Sequence, residues 1–259
     1  MTDPRDVLSR AGSPPDAVIR YGPSPEQIAD LRLPSRRSEP MTSVVLLHGG
    51  FWRSAYDRTH TRPMADGLAE AGYAVVTPEY ARTGAGGGWP ATFDDVARAV
   101  EGLPLLVGAA VDVSDVLLVG HSAGGHLALW CAGLDLLAGY AGVVALAPVA
   151  DLAEAFRLHL DGGAVQALLG GPPEQVPDRY DAADPCRLPV PTSRVVVLHG
   201  AEDAQVPVGG SIRYAAHAGA DLRVLPGVEH FDLIDPTSTS WPAVLGAVRA
   251  VRDDARREA

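Results

Sequence analysis

Ten residues constrain this chain more than any others: Val116-Leu117-Leu118-Val119-Gly120-His121-Ser122-Ala123-Gly124-Gly125. An apolar run of strand type ends in Gly-His-Ser-Ala-Gly, and an apolar helical pattern follows at once. A serine in that setting sits on a tight, strained turn between a buried strand and a helix. Gly120 and Gly124 stand two residues to either side, where a Cβ would collide with the returning backbone. The Ser122 hydroxyl is then held out above the end of a sheet, and the N–H of Ala123, at the helix start, points to where an oxyanion would form.

The rest of the chain repeats the rhythm that such a turn requires. Compact apolar runs at 43–47, 73–77, 116–119, 142–146, 194–198 and 221–225 read as strands. Helical patterns at 59–72, 92–106, 125–134, 208–218 and 240–252 fall between or after them. Alternation with short connections predicts an α/β fold with a mostly parallel sheet covered by helices on both faces. Functional groups then gather at the carboxyl ends of the strands. Residues 1–40 are rich in proline, arginine and acidic residues. They read as a lead-in of helix or coil, an edge strand, and a turn through 35–40. Residues 151–190 break the rhythm with short helical stretches at 152–160 and about 164–169, and read as a small cap insertion within one domain spanning 1–259.

A serine hydroxyl needs a base, and the base needs an orienting carboxylate. Of eight histidines, His230 follows the last predicted strand on a loop at the functional rim, and is the expected base. Asp203 follows the 194–198 strand in His199-Gly200-Ala201-Glu202-Asp203 and is the expected carboxylate, with Glu202 the lesser alternative. The order Ser122, Asp203, His230 is that of α/β-hydrolases. His121 is expected to pack or bond beside the serine, and His126 to lie on the helix face under the sheet. His48-Gly49-Gly50-Phe51-Trp52 follows the first core strand, and its glycines let the backbone turn N–H groups inward. Gly50 and Phe51 are therefore expected to join Ala123 as oxyanion donors, with His48 bracing their loop. Loop aromatics on the same rim, Phe51, Trp52, Tyr80, Trp89, Phe156 and Phe231, are expected to line an aromatic or apolar pocket.

Composition removes several other classes of function. Thirty-two acidic residues against 21 Lys and Arg give a net charge of −11, which argues against nucleic acid and anionic membranes as partners. No uncharged apolar run is long enough to span a bilayer. The first residues lack a secretory pattern, so a cytoplasmic location is expected. Two cysteines make no disulfide framework. No His/Cys/Asp cluster has metal-ligand spacing, so neither metal nor other cofactor is expected. The expected partners are a small-molecule substrate and, optionally, a second copy of the chain in a homodimer.

On His48-Gly49-Gly50-Phe51-Trp52, Gly120-His121-Ser122-Ala123-Gly124-Gly125-His126, His199-Gly200-Ala201-Glu202-Asp203 and Glu229-His230-Phe231-Asp232, the chain resembles the α/β-hydrolases. More narrowly it resembles the arylformamidase (kynurenine formamidase) branch near the hormone-sensitive-lipase-type esterases. Tyr21-Gly22-Pro23 and Trp89-Pro90-Ala91 with Asp95 extend the likeness over roughly residues 20–250. Two features depart from that group: Phe51 in the His-Gly-Gly stretch, and the extra residue in Glu79-Tyr80-Ala81-Arg82. The resemblance implies a serine hydrolase that removes a short acyl group, formyl or acetyl, from an aromatic or apolar amide or ester through an acyl-enzyme. A general short-chain carboxylesterase is the alternative reading. A hydrolase fold kept only as a ligand receptor is the third, and the presence of all three triad residues speaks against it.

Overall fold

The structure is a computed structural model that describes residues 3–36, 40–108 and 113–258. The turn expected through 35–40 falls partly on residues outside that description. Among the described residues the strands are β1 (Ala17–Arg20), β2 (Ile28–Arg32), β3 (Met41–Leu47), β4 (Ala74–Pro78), β5 (Val113–His121), β6 (Tyr140–Leu146), β7 (Val195–Gly200) and β8 (Asp221–Leu225). The helices are α1 (Asp6–Ser9), α2 (Arg62–Glu70), α3 (Ala91–Gly108), α4 (Ala123–Gly133), α5 (Leu152–Arg157), α6 (Ala164–Leu169), α7 (Pro177–Ala183), α8 (Gly209–Ala218) and α9 (Trp241–Glu258). Short 3₁₀ turns at Arg58–Thr61, Leu160–Gly162 and Phe231–Ile234 complete the set.

The strands form one sheet in the order β1-β2-β4-β3-β5-β6-β7-β8. β1, β2 and β4 pair antiparallel; every pairing from β4 through β3 to β8 is parallel. This is the α/β-hydrolase arrangement expected from the sequence. The central parallel strands carry apolar runs at 44–47, 116–119, 143–146 and 195–198 because both faces are covered. Their residues divide by alternation. Val44, Leu46, Leu117, Val119, Val144, Leu146, Val196 and Leu198 share one core with α1, α2 and α9. Val45, Leu47, Leu118, Val143, Ala145, Val195 and Val197 face a second core with α3 to α8. α4 runs through that second core, and Ala123 to Ala132 are all buried. Cys131 is one of them, as a small core residue.

The sheet ends differently at its two edges. β1 has only four residues, mostly exposed. On β8, Asp221 pairs with Arg223 at 2.8 Å and with Arg194 at 3.3 Å. No described helix is long and apolar enough to cross a membrane.

Three sequence expectations need correction. The helix expected from residue 59 begins as a 3₁₀ turn, capped by Asp57 accepting from the Thr59 N–H at 2.8 Å, and becomes α-helical at Arg62. The lead-in contains a second strand, β1, whose four residues carry too little pattern to stand out. The insertion holds a third helix, α7, which starts with Pro177 at a position where a missing N–H costs nothing.

Burial also sets how the fold responds to acid. It pulls the His126 imidazole down to about 4, against one hydrogen bond from its Nε2 to the Ala183 carbonyl. An unfolded-chain histidine protonates near about 6.5. Between those values the unfolded chain takes up a proton that the folded chain refuses. The stability is therefore full above about pH 6.5 and declines as pH falls toward 4. Urea titrations should give an unfolding free energy lower at pH 5 than at pH 7.5 by about 2 kcal/mol for His126 alone. Equal free energies at the two values would refute a buried neutral His126.

Candidate active site

The parallel strands end on one rim, and segments that follow β3, β5, β6, β7 and β8 line one cavity there. β5 runs into Ser122, and α4 begins at the next residue. Ser122 has φ 56° and ψ −116°, a left-handed conformation that a residue with a side chain adopts only under strain. The turn is closed by Ser122 N–H donating to the Leu146 carbonyl at 2.8 Å and by the His126 N–H donating to the Ser122 carbonyl at 2.9 Å. A Cβ on Gly120 would lie 2.2 Å from the Gly124 carbonyl oxygen, and one on Gly124 would lie 2.1 Å from that of Leu47. Both flanking glycines are thus required by close backbone approach.

β7 leads to Asp203, whose side chain is fully buried. Its Oδ1 accepts from the N–H groups of Gln205 (2.9 Å) and Val206 (2.8 Å). Its Oδ2 accepts from His230 Nδ1 at 2.6 Å, and His199 Nε2 lies 3.3 Å away. Burial alone would raise this carboxyl; hydrogen bonds from His199 and His230 outweigh it and hold it well below the usual carboxylate range. Glu202 is exposed and takes no part. His230 follows β8 on the loop 226–230 and opens the 3₁₀ turn Phe231–Ile234. Asp232 shapes that loop by accepting from the Glu229 N–H at 2.8 Å.

Ser122 and His230 both line the cavity. No hydrogen bond joins Ser122 Oγ to His230 Nε2, a contact that commonly tightens only around substrate. His121 ties the two loops together. Its Nε2 donates to the His230 carbonyl at 3.1 Å, and its ring stands 4.6 Å from that of His230. Burial lowers the His121 imidazole far below its ordinary value, so it stays neutral.

The loop expected to supply oxyanion donors follows β3. Gly50, Phe51 and Trp52 have φ of 107°, 48° and 57° in succession. None of the N–H groups of Gly50, Phe51 and Ala123 donates to a protein acceptor among the described residues. Gly50 and Phe51 line the cavity, and Ala123 opens α4, where the first N–H groups have no helical partner. Beneath the loop, His48 Nδ1 bonds the Gly49 carbonyl at 2.8 Å and Nε2 bonds Glu79 Oε1 at 2.9 Å. Glu79 is 2% exposed. Burial would raise its carboxyl, but the His48 hydrogen bond, the Arg58 N–H and Arg82 together hold it below the usual range.

Of the six aromatic residues expected to line the pocket, Phe51 and Phe231 do so. Two others are core residues. Trp52 is fully buried, edge-on to His126 with ring centroids 5.1 Å apart, because the two left-handed residues turn Phe51 toward the cavity and Trp52 away from it. Tyr80 stacks on His48 at 4.3 Å and donates its hydroxyl to the His48 carbonyl at 2.7 Å. Trp89 packs on Phe93, and Phe156 on Tyr180; neither lines the cavity. The wall is completed instead by Leu8, Tyr56, His60, Asp161 and Gln205. Leu8 comes from α1 and Asp161 from the insertion, and neither carried a motif that could have marked it.

Comparison with known proteins follows the same lines. The BD-FAE family model matches residues 29–217. The chain matches no curated protein. Among solved structures it is similar to esterase B from Lactobacillus rhamnosis, at 19% identity and TM-score 0.79, over 98% of this chain and 91% of that one. It is also similar to a truncated carbohydrate esterase from gut microbiota, at 18% identity and TM-score 0.77, over 95% and 100% of the two chains. A third is Thermogutta terrifontis esterase 2 phosphoramylated by tabun, at 19% identity and TM-score 0.65, over 90% and 92%. These likenesses carry the α/β-hydrolase fold, and the family match covers most of the chain. With that fold, and with a serine, a histidine and an aspartate brought to one rim, the chain belongs to the BD-FAE family of α/β-hydrolase-type esterases.

Proposed function

We propose that the chain is a serine hydrolase that removes a short acyl group, formyl or acetyl, from an aromatic or apolar ester or amide, in the manner of an arylformamidase. The observation that carries this reading is the 2.6 Å His230–Asp203 hydrogen bond placed in the same cavity as a serine held in a left-handed turn. His230 accepts the Ser122 proton as Oγ attacks the carbonyl carbon, and Asp203 holds the ring in the tautomer that leaves Nε2 free to do so. The N–H groups of Gly50, Phe51 and Ala123 stabilise the oxyanion. His230 then protonates the leaving oxygen or nitrogen, and water repeats the sequence on the acyl-enzyme. Phe51, Phe231 and Tyr56 bound the cavity, and such a lining supports a small acyl group on an aromatic leaving group.

A general short-chain carboxylesterase is the second reading. It is favoured by esterase B of Lactobacillus rhamnosis, which is similar to this chain (TM-score 0.78) and was crystallised inhibited by a tributyrin phosphonate. The two readings separate on kcat/KM for N-formylkynurenine beside p-nitrophenyl acetate. Turnover of the formamide at about 10⁴ M⁻¹s⁻¹ or better is expected for the first. Reaction with the activated ester alone would replace it with the second.

A further inference from the structure

The cavity has a polar wall that the triad and the oxyanion donors do not use. His60 stands on it, in the 3₁₀ turn Arg58–Thr61. Its Nδ1 bonds the Asp57 carbonyl oxygen at 2.5 Å. A carbonyl only accepts, so Nδ1 carries the hydrogen. The turn itself is fixed by the Asp57 side chain, and the ring is wedged edge-on between Tyr56 (6.1 Å) and His48 (5.7 Å). Burial, aided by the neighbouring His48, pulls the imidazole down to about 4, so the ring is neutral at working pH. A neutral ring with its hydrogen on Nδ1 has a lone pair on Nε2, and that atom has no hydrogen-bond partner among the described residues.

Other polar groups stand near it. His121 donates through Nε2 to the His230 carbonyl, and its Nδ1 is buried beside Gly49, away from the cavity. Asp161 presents a carboxylate, held by Arg53 from the oxyanion loop. The Tyr56 hydroxyl and the Gln205 amide line the same cavity, beside the backbone N–H groups near Ser122. The lone pair on His60 Nε2 is the unpaired acceptor among them, and a substrate that covers it without a donor leaves it desolvated.

We propose that His60 is a specificity-determining residue whose Nε2 accepts a hydrogen bond from an O–H or N–H on the substrate's leaving group, so that the site selects acyl esters of hydroxy- or amino-bearing aromatic alcohols over donor-free esters of the same shape. This rests on the serine-hydrolase reading above and names the substrate class of that same site. A site built to bond a substrate hydroxyl discriminates strongly against the analogue that lacks it, whereas a merely apolar pocket does not.

The test compares kcat/KM for 2-, 3- and 4-hydroxyphenyl acetate with that for the corresponding methylphenyl acetates, in the wild-type protein, His60→Phe and His60→Gln. The ratio of ratios between proteins cancels leaving-group reactivity. For at least one ring position the hydroxy-to-methyl ratio should fall about tenfold in His60→Phe, and His60→Gln, which keeps an acceptor, should retain part of it. Ratios within twofold of wild type at all three positions would overturn the proposal. So would a wild-type protein that favours the methyl ester at every position, a result that needs no variant to fold. A wild-type protein that hydrolyses none of the six esters would instead remove the serine-hydrolase reading, and the proposal with it.

Discussion

Ser122→Ala is expected to lower kcat/KM on any substrate of the site by about 10⁴-fold or more, with the melting temperature almost unchanged. The loss follows from the geometry, because among the described residues Ser122 carries the only aliphatic hydroxyl that lines the cavity with His230, Gly50 and Phe51. The unchanged stability follows from the backbone. Alanine inherits φ 56° and ψ −116° with the same Cβ, so the strain of the turn stays. Glycine at this position removes the Cβ and should raise stability by about 1 kcal/mol while abolishing turnover equally. Initial rates on p-nitrophenyl acetate and thermal unfolding of the two variants test both halves. Activity that survives Ser122→Ala would place the nucleophile elsewhere.

Gly124→Ala should be among the most damaging single-methyl changes in the chain. The added Cβ would stand 2.1 Å from the Leu47 carbonyl oxygen and 2.5 Å from that of His48. Neither oxygen can move cheaply. Leu47 is the last residue of β3, paired in register with Gly120 of β5, and His48 is clamped by Glu79. The helix must then lift away from the sheet, which drags Ala123 and the Gly50–Phe51 loop apart. We expect a loss of about 3 kcal/mol or more, or no soluble protein. Gly102→Ala is the control. It lies within α3 with nothing within 4 Å of the new methyl, so it should gain about 0.5–1 kcal/mol from helix propensity alone. Similar melting temperatures for the two variants would refute the close approach of α4 to β3.

The sheet and the three polar residues on its rim were legible in the sequence because each follows an apolar run that ends at a glycine or a turn. Gly120, Gly124 and Gly200 mark places where one strand end meets another piece of backbone, and such contacts leave no substitute for glycine. The aromatic lining was legible only for Phe51 and Phe231. Which side of a loop a ring faces depends on dihedral angles that residue type does not specify. Adjacent Phe51 and Trp52 part company because both are left-handed, one into the cavity and one into the core. Tyr80 was drawn inward by a carbonyl and a flat imidazole that only the fold brings beneath it. His60, Leu8 and Asp161 reach the cavity from a 3₁₀ turn, the lead-in and the insertion. These segments lie far apart in the chain and have no shared spacing to connect them.

The two margins of the sheet carry a consequence for how the molecule behaves at high concentration. An open row of strand N–H and C=O groups is a template on which another chain can polymerise. Here one margin is a strand of four residues that ends in Arg20, too short to seed a ladder. The other carries Asp221 and Arg223, with Arg194 beside them, so an incoming strand would have to desolvate an ion-paired cluster before it could bond. Both margins of the sheet therefore resist growth by strand addition, which leaves helical and loop surfaces as the easier places for one copy to meet another.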